Sequence, residues 1–230
     1  MLVYELRLKL MLKKNIPYYE SSEKIGQLIN QTLCKDDVFL EFHEHLKDYK
    51  FYVYDNLYPF EKDGIYKASE IYSVRLRTGK QGLAEYFLEN IRGEKTSHMY
   101  CLKSEIKVIP KQHISKIYSL TPAVMKNYPE GYWRENFTVK QFEKRLADNL
   151  IKKYQKVTGK SVKEDFDFYN ALRFKNNKPV KVCYKDIVLL GDKMEIVVAN
   201  NKGAQELFYM ALGTGLLENN SNGCGFVNFM

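Results

Sequence analysis

Two successive α+β units, each running strand, helix, strand, strand, helix, strand, are predicted for this 230-residue chain. Three observations predict them. Apolar residues alternate with period two in short runs, helical stripes at three- and four-residue spacing lie between those runs, and the same order recurs in both halves.

The first ten residues alternate as a strand, with Leu6, Leu8 and Leu10 on one face and Glu5, Arg7 and Lys9 on the other. Ser21 or Ser22 then caps a helix carrying Glu23, Ile25, Leu28, Ile29 and Leu33 at helical spacing. Extended stretches follow at residues 51–58 and 65–78, the second broken by Gly79. A helical stripe of Leu83, Tyr86, Phe87 and Ile91 ends near Gly93, and residues 99–109 alternate again before Pro110. In the second half, residues 117–124 read as a strand. Thr138 caps a long helix with Phe142, Leu146, Leu150 and Tyr154 at four-residue spacing, closed by Gly159. Its opposite face carries Lys140, Lys144, Lys152, Lys153 and Lys156, the pattern of a solvated face. Strands are expected around 171–174, 180–184 and 186–198, a helix from about 203 to 212, and a last strand at 226–229. This is the ferredoxin-like (RRM-like) βαββαβ order in tandem. The boundary falls near residues 112–116, dividing the chain into 1–114 and 115–230.

Composition narrows the partner. With 36 Lys+Arg against 28 Asp+Glu the formal net charge is +8, and the pI is about 9.1. That balance favours a polyanion held through phosphate neutralisation and counterion release. Eighteen Tyr and thirteen Phe add rings on which unpaired bases stack. No apolar run approaches the roughly twenty residues of a membrane span, and the N-terminus alternates where a signal peptide would be continuously apolar. A cytoplasmic protein is therefore expected. Cys34, Cys101, Cys183 and Cys224 show no C-x-x-C spacing, so neither a zinc site nor a disulfide framework is indicated, and no cofactor is expected.

The most informative stretch is the C-terminal one. Gly213 and Gly215, then Gly223 and Gly225, bracket the polar run 216–222. Glycine lets main-chain N–H groups approach phosphate oxygens closely, so the loop reads as an anion cradle. Its order of helix, loop, strand is opposite to that of a dinucleotide fingerprint. The plainer reading is a helix C-cap at Gly213 plus a turn at Asn222-Gly223.

Tandem ferredoxin-like units ending in such a loop resemble the CRISPR repeat-processing endoribonucleases of the RAMP superfamily. The landmarks are the N-terminal strand, His43 and His45 before the aromatic strand at Lys50-Phe51-Tyr52-Val53-Tyr54, the segment Ser119-Leu120-Thr121-Pro122-Ala123-Val124, and Asn149-Leu150-Ile151-Lys152-Lys153-Tyr154. Most specific is the terminal loop, whose Gly213, Gly215, Asn220, Ser221, Gly223 and Gly225 match the family pattern, with Cys224 in place of the usual aromatic. The resemblance implies CRISPR repeat RNA as substrate, held by that loop with Lys152 and Lys153. It admits other CRISPR effector subunits and a homodimer as further partners.

The resemblance also implies metal-independent cleavage by attack of a ribose 2′-OH on the adjacent phosphate, leaving a 2′,3′-cyclic phosphate and a 5′-OH. That chemistry needs a base, an acid and a source of positive charge. Histidine suits proton transfer because its unperturbed pKa is about 6.5. Of four histidines, His43 and His45 fall where the family places its catalytic one, and His98 and His113 do not. On a helix over residues 38–46 the two would point apart, whereas in an extended turn they would share a face. Lys50, with Lys47 as substitute, is the implied charge stabiliser. Asn30 occupies the position of a family tyrosine and could orient ribose or phosphate, with Tyr52 and Tyr54 as replacements. Two other classes stand beside this reading: an RNA-binding subunit of a CRISPR effector complex with the same fold and no cleavage, and a metal nuclease built on Asp36, Asp37, Glu41 and His43, whose carboxylates lack a convergent motif.

Overall fold

The computed structural model describes residues 1–44, 49–126, 131–162, 165–185 and 187–230, with the side chains of all of these except 40 and 42–44. In the first half, β1 (Val3–Leu12) is followed by β2 (Ile16–Pro17), α1 (Ser21–Leu33), α2 (Asp37–Glu44), β3 (Tyr52–Tyr54), β4 (Ile65–Tyr66), β5 (Ile71–Thr78), α3 (Gln81–Asn90) and β6 (Met99–Ile109). The second half holds β7 (Lys116–Ser119), α4 (Trp133–Asn136), α5 (Val139–Thr158), β8 (Tyr169–Phe174), β9 (Val180–Tyr184), β10 (Ile187–Gly191), β11 (Met194–Val198), α6 (Lys202–Thr214) and β12 (Val227–Phe229).

Both halves form antiparallel four-stranded sheets in the ferredoxin-like order, β3-β5-β1-β6 and β12-β7-β11-β8. The alternation of β1 puts Leu6, Leu8, Leu10 and Leu12 into a core with Ile25, Leu28, Ile29 and Phe87. The second core surrounds Trp133, whose ring lies 4.4 Å from that of Phe142 and 5.5 Å from that of Phe174. Thr138 caps α5 as expected, in a capping box with Gln141, and Gly159 closes the helix at φ +70°.

Several local expectations are corrected. Neither Ser21 nor Ser22 caps α1: the Ser21 hydroxyl donates to Tyr18 O at 2.6 Å, and Ser22 donates to Asn222 O at 2.7 Å, tying α1 to the C-terminal loop. The stretch 186–198 is not one strand. Among the described residues β9 and β10 pair only with each other, and the strand ends before Asp192, a fully buried carboxylate. It accepts from Tyr132 Oη (2.7 Å), Trp133 Nε1 (2.6 Å), Arg134 Nη2 (2.9 Å) and Asn176 Nδ2 (2.8 Å). A buried carboxylate needs such partners, and four converging donors outweigh the continuation of a ladder.

The halves are joined through polar groups as well as apolar packing. Arg77, 2% exposed, donates to Glu5 Oε2 (2.8 Å), Val227 O (2.7 Å) and Asn228 Oδ1 (3.2 Å), with its guanidinium 4.4 Å from the Phe226 ring. Burial alone would raise the Glu5 carboxyl, but Arg77 and Lys107 hold it below its ordinary value.

Candidate active-site cleft

A cleft of about 680 Å³ opens between the halves. From the first half it is lined by Asn30 of α1 and the run Tyr49, Lys50, Phe51 and Tyr52 leading into β3. The second half contributes Arg145 and Lys153 of α5, Tyr184 and Lys185 at the β9–β10 turn, Lys126, and the loop residues Glu218, Asn219, Asn220, Ser221 and Asn222. Among the described residues of the lining, basic side chains outnumber acidic ones five to one, and the acidic one, Glu218, is engaged by Arg145 Nε at 2.8 Å. Among the described residues, three of the five non-glycine residues with left-handed backbone line it: Phe51 (φ 54°), Lys185 (φ 52°) and Asn219 (φ 59°). Such conformations cost about 1–3 kcal/mol each and gather where the surroundings over-determine the chain.

Lys50 and Asn30 line one cleft together with Asn220 and Ser221 of the loop. His43 lies at the end of α2, one helical turn beyond Phe39, whose ring stacks on Tyr86 at 4.0 Å. His45 and Lys47 lie outside the described residues, four and two positions before the cleft-lining Tyr49. Asp36 Oδ1 accepts from Val38 N–H (2.9 Å) and Phe39 N–H (3.3 Å), so it serves the start of α2. Of the two tyrosines weighed as replacements, Tyr52 reaches the cleft. Its phenol, pushed up by burial and then by neighbouring Tyr184, is bonded to the Ser221 side chain. Tyr54 is buried and donates to Ser22 O at 2.9 Å.

The glycine loop is built differently from an open cradle. Its amides are engaged inside the fold: Gly215 N–H to Ala211 O (2.8 Å), Gly223 N–H to Asn220 O (3.0 Å) and Gly225 N–H to Pro122 O (2.8 Å). Gly213 lies inside α6, so the helix ends two residues later than expected, at the C-cap Gly215. At Gly223 (φ +82°) a Cβ would sit 2.2 Å from Ser22 Oγ, and at Gly225 (φ +73°) 2.2 Å from Leu216 O. Close packing, not reach toward a ligand, explains these glycines. Asn220 likewise faces inward, donating to Leu216 O (2.9 Å) and Cys224 O (3.0 Å).

Lys153 differs most from expectation. Placed by helical spacing on a solvated face beside the exposed Lys152, it is 1% exposed. Its ammonium donates to Gly215 O (2.9 Å), Leu217 O (2.7 Å) and Asn220 Oδ1 (2.6 Å). Burial pushes its pKa down to about 7, against the raising influence of Glu218. It is a strut for the loop. Lys152 is absent from the cleft lining.

The sequence places β9 at 180–184 but does not show that β9 and β10 pair as a separate hairpin. The hairpin's tip docks on α1, where Glu23 Oε2 accepts from Lys185 N–H at 3.0 Å and Asn30 Nδ2 donates to Tyr184 Oη at 3.4 Å. Glu23, Gly26 and Asn30 stand at i, i+3 and i+7 on one face of α1, a spacing visible in the sequence.

A family model for the CRISPR-associated protein Cas6, C-terminal, matches residues 102–229, more than half of the chain. The chain belongs to the Cas6 family. No curated protein matches it. Among solved structures, a CRISPR-associated Cas6 protein is 16% identical over 99% of both chains, with a TM-score of 0.72. A Cas6-related protein from Pyrococcus furiosus is 16% identical over 99% of this chain and 98% of that one (TM-score 0.71). A RAMP protein described as binding different RNA substrates is 15% identical over 99% of both (TM-score 0.71). At these identities the likeness establishes the Cas6 double ferredoxin-like fold. Among the described residues, no helix is long and apolar enough to cross a membrane.

Proposed function

We infer that this Cas6-family protein is an endoribonuclease that cuts CRISPR repeat transcripts into guide RNAs. The observation that carries the reading is the cleft between the halves, where Lys50 and Asn30 meet Ser221, Asn222 and Lys185. A structure described as a Cas6 product complex shares the fold at 16% identity over 100% of this chain and 99% of that one (TM-score 0.63), which supports an RNA substrate. The reaction forms a bond from the 2′-oxygen to phosphorus and breaks the bond from phosphorus to the 5′-oxygen. A base takes the 2′ proton, an acid supplies a proton to the leaving 5′-oxygen, and cationic or neutral donors stabilise the charge on the non-bridging oxygens. We assign the proton transfers to His43 and His45 and the charge stabilisation to Lys50, with no metal. Lysines of the rim, Lys126 and Lys185, neutralise flanking phosphates.

The test is cleavage of a cognate repeat in EDTA. It should persist, a 2′-deoxy nucleotide 5′ of the cut should abolish it, and the products should carry 2′,3′-cyclic phosphate and 5′-OH ends. Products with 3′-OH and 5′-phosphate ends would overturn the reading. Tight binding without cutting would leave the RNA-binding subunit in its place.

A further inference from the structure

The hairpin of the second half is built to deliver one phenol into the first half's side of the cleft. Its register pairs Tyr184 with Ile187, and Lys185, directly after Tyr184, has left-handed backbone. Glu23 fixes the turn by accepting the Lys185 amide at 3.0 Å, and Glu23 is itself steadied by Gln27 Nε2 at 2.9 Å. Gly26, one turn further along α1, leaves room for the ring: a Cβ there would lie 3.3 Å from Tyr184 Cε2 and 2.7 Å from Tyr54 Oη. Asn30 then meets the hydroxyl with its amide N–H.

That geometry sets the direction of the hydrogen bond. The Asn30 amide donates, so the Tyr184 oxygen accepts and its proton is left over. Among the described residues nothing takes that proton. A phenol 8% exposed is a costly place to leave a donor unmatched, yet this one lines a cleft rich in cations, alongside Lys50 and Lys185. Burial raises its pKa, the Asn30 bond lowers it and Glu23 raises it, with a net upward shift, so the group keeps its proton at working pH. A neutral donor beside lysines suits a phosphate oxygen: the lysines supply charge, and the fixed hydroxyl supplies direction.

We propose that Tyr184 is a catalytic residue of the RNA-cleavage reaction, donating a hydrogen bond to a non-bridging oxygen of the phosphate being cut, and that Asn30 is the positioning residue that aims it. The proposal rests on the endoribonuclease reading. Tyr184 keeps its proton throughout, and the proton transfers belong to other groups.

The test compares wild type, Tyr184→Phe, Asn30→Ala and the double variant in single-turnover cleavage of a cognate CRISPR repeat RNA. Affinity for the 2′-deoxy repeat and thermal melting are measured beside it. Tyr184→Phe should cut about a hundredfold more slowly, the usual scale for one donor at a developing oxyanion, with affinity within about twofold of wild type. Asn30→Ala should lose less, and the double variant should be no slower than Tyr184→Phe alone, because Asn30 acts through the phenol. A rate within about tenfold of wild type in Tyr184→Phe overturns the proposal, as does a double variant showing the product of the two single losses. Should Phe lower the melting temperature, a ring-fluorinated tyrosine at 184 decides. Its more acidic phenol should bring an alkaline loss of activity absent in wild type, and an unchanged pH profile overturns the proposal. A wild type that binds the repeat without cutting removes the endoribonuclease reading and this proposal with it. A cutting wild type with an equally active Tyr184→Phe removes only this proposal.

Discussion

Replacing Gly225 with alanine separates a loop that is a structural knot from one that is a phosphate cradle. The residue sits at φ +73°, where a Cβ costs about 1–2 kcal/mol. The added carbon would lie 2.2 Å from Leu216 O, a backbone atom that cannot rotate away. Relief requires moving the strand of chain held by two bonds, Leu216 N–H to Gly225 O (3.0 Å) and Gly225 N–H to Pro122 O (2.8 Å). At about 0.5–1.5 kcal/mol each, losing both adds about 1–3, for a total of about 2–5 kcal/mol. In a chain of this length each kcal/mol moves the melting temperature by about 2–4 °C, so a fall of about 4–20 °C is expected by circular dichroism. Affinity for a 2′-deoxy repeat, read by fluorescence anisotropy well below that melt, should stay within about twofold of wild type. A variant melting within about 2 °C of wild type would refute the packing argument. A native melt with lost affinity would restore the cradle.

Three further outcomes are expected. His43→Ala with His45→Ala should lower the single-turnover rate at least about a hundredfold with repeat binding little changed, and wild-type cleavage by the double variant would move the chemistry elsewhere. Lys153→Met should cost about 2–5 kcal/mol in urea unfolding, because Gly215 O, Leu217 O and Asn220 Oδ1 lose their donor. Its folded pKa of about 7 lies below the unfolded value, so between pH 7 and about 10.4 the unfolded chain holds more protons and wild-type stability rises with pH. The Met variant should lack that slope, and parallel curves would contradict the assignment. Glu5→Gln should cost about 3–5 kcal/mol by leaving Arg77 buried without its carboxylate. Because Glu5 is held below its unfolded pKa, its stabilisation is full above about pH 4.3 and is lost as pH falls through the folded value. The variant should therefore lose less stability than wild type on acidification, as followed by urea midpoints.

What could be read from residues alone were features written in local period. The Leu6, Leu8, Leu10, Leu12 alternation and the Thr138–Gln141 capping box need only their neighbours, and both elements lie where that pattern puts them. Lys153 could not be read this way. Helical spacing assigns it a face, but its acceptors come from Gly215, Leu217 and Asn220, more than sixty positions later, and only the fold brings them there. The break at Asp192 has the same origin, since three of its four donors lie about sixty positions earlier in the chain. The cleft was legible in part. Lys50 and Asn30 meet there, whereas Tyr184 arrives on a hairpin from the opposite half. The glycines were singled out for a real property, freedom from Cβ, but the atoms that come close are the protein's own.

Cys224 has a consequence of a different kind. It is fully buried against Val124 and Val182, with Leu189 beside them. Val182 belongs to β9 and Leu189 to β10, so the side chain of the C-terminal loop is wedged beneath the hairpin that carries Tyr184. The hairpin and the loop, both on the second half's side of the cleft, therefore share a spacer, and the volume at position 224 acts as a gauge for the distance between them. A larger side chain there would push the hairpin outward from the loop side while Glu23 and Asn30 hold its tip on α1, tilting it about that anchorage. The width of the mouth is in this sense adjustable by one residue that no RNA would touch.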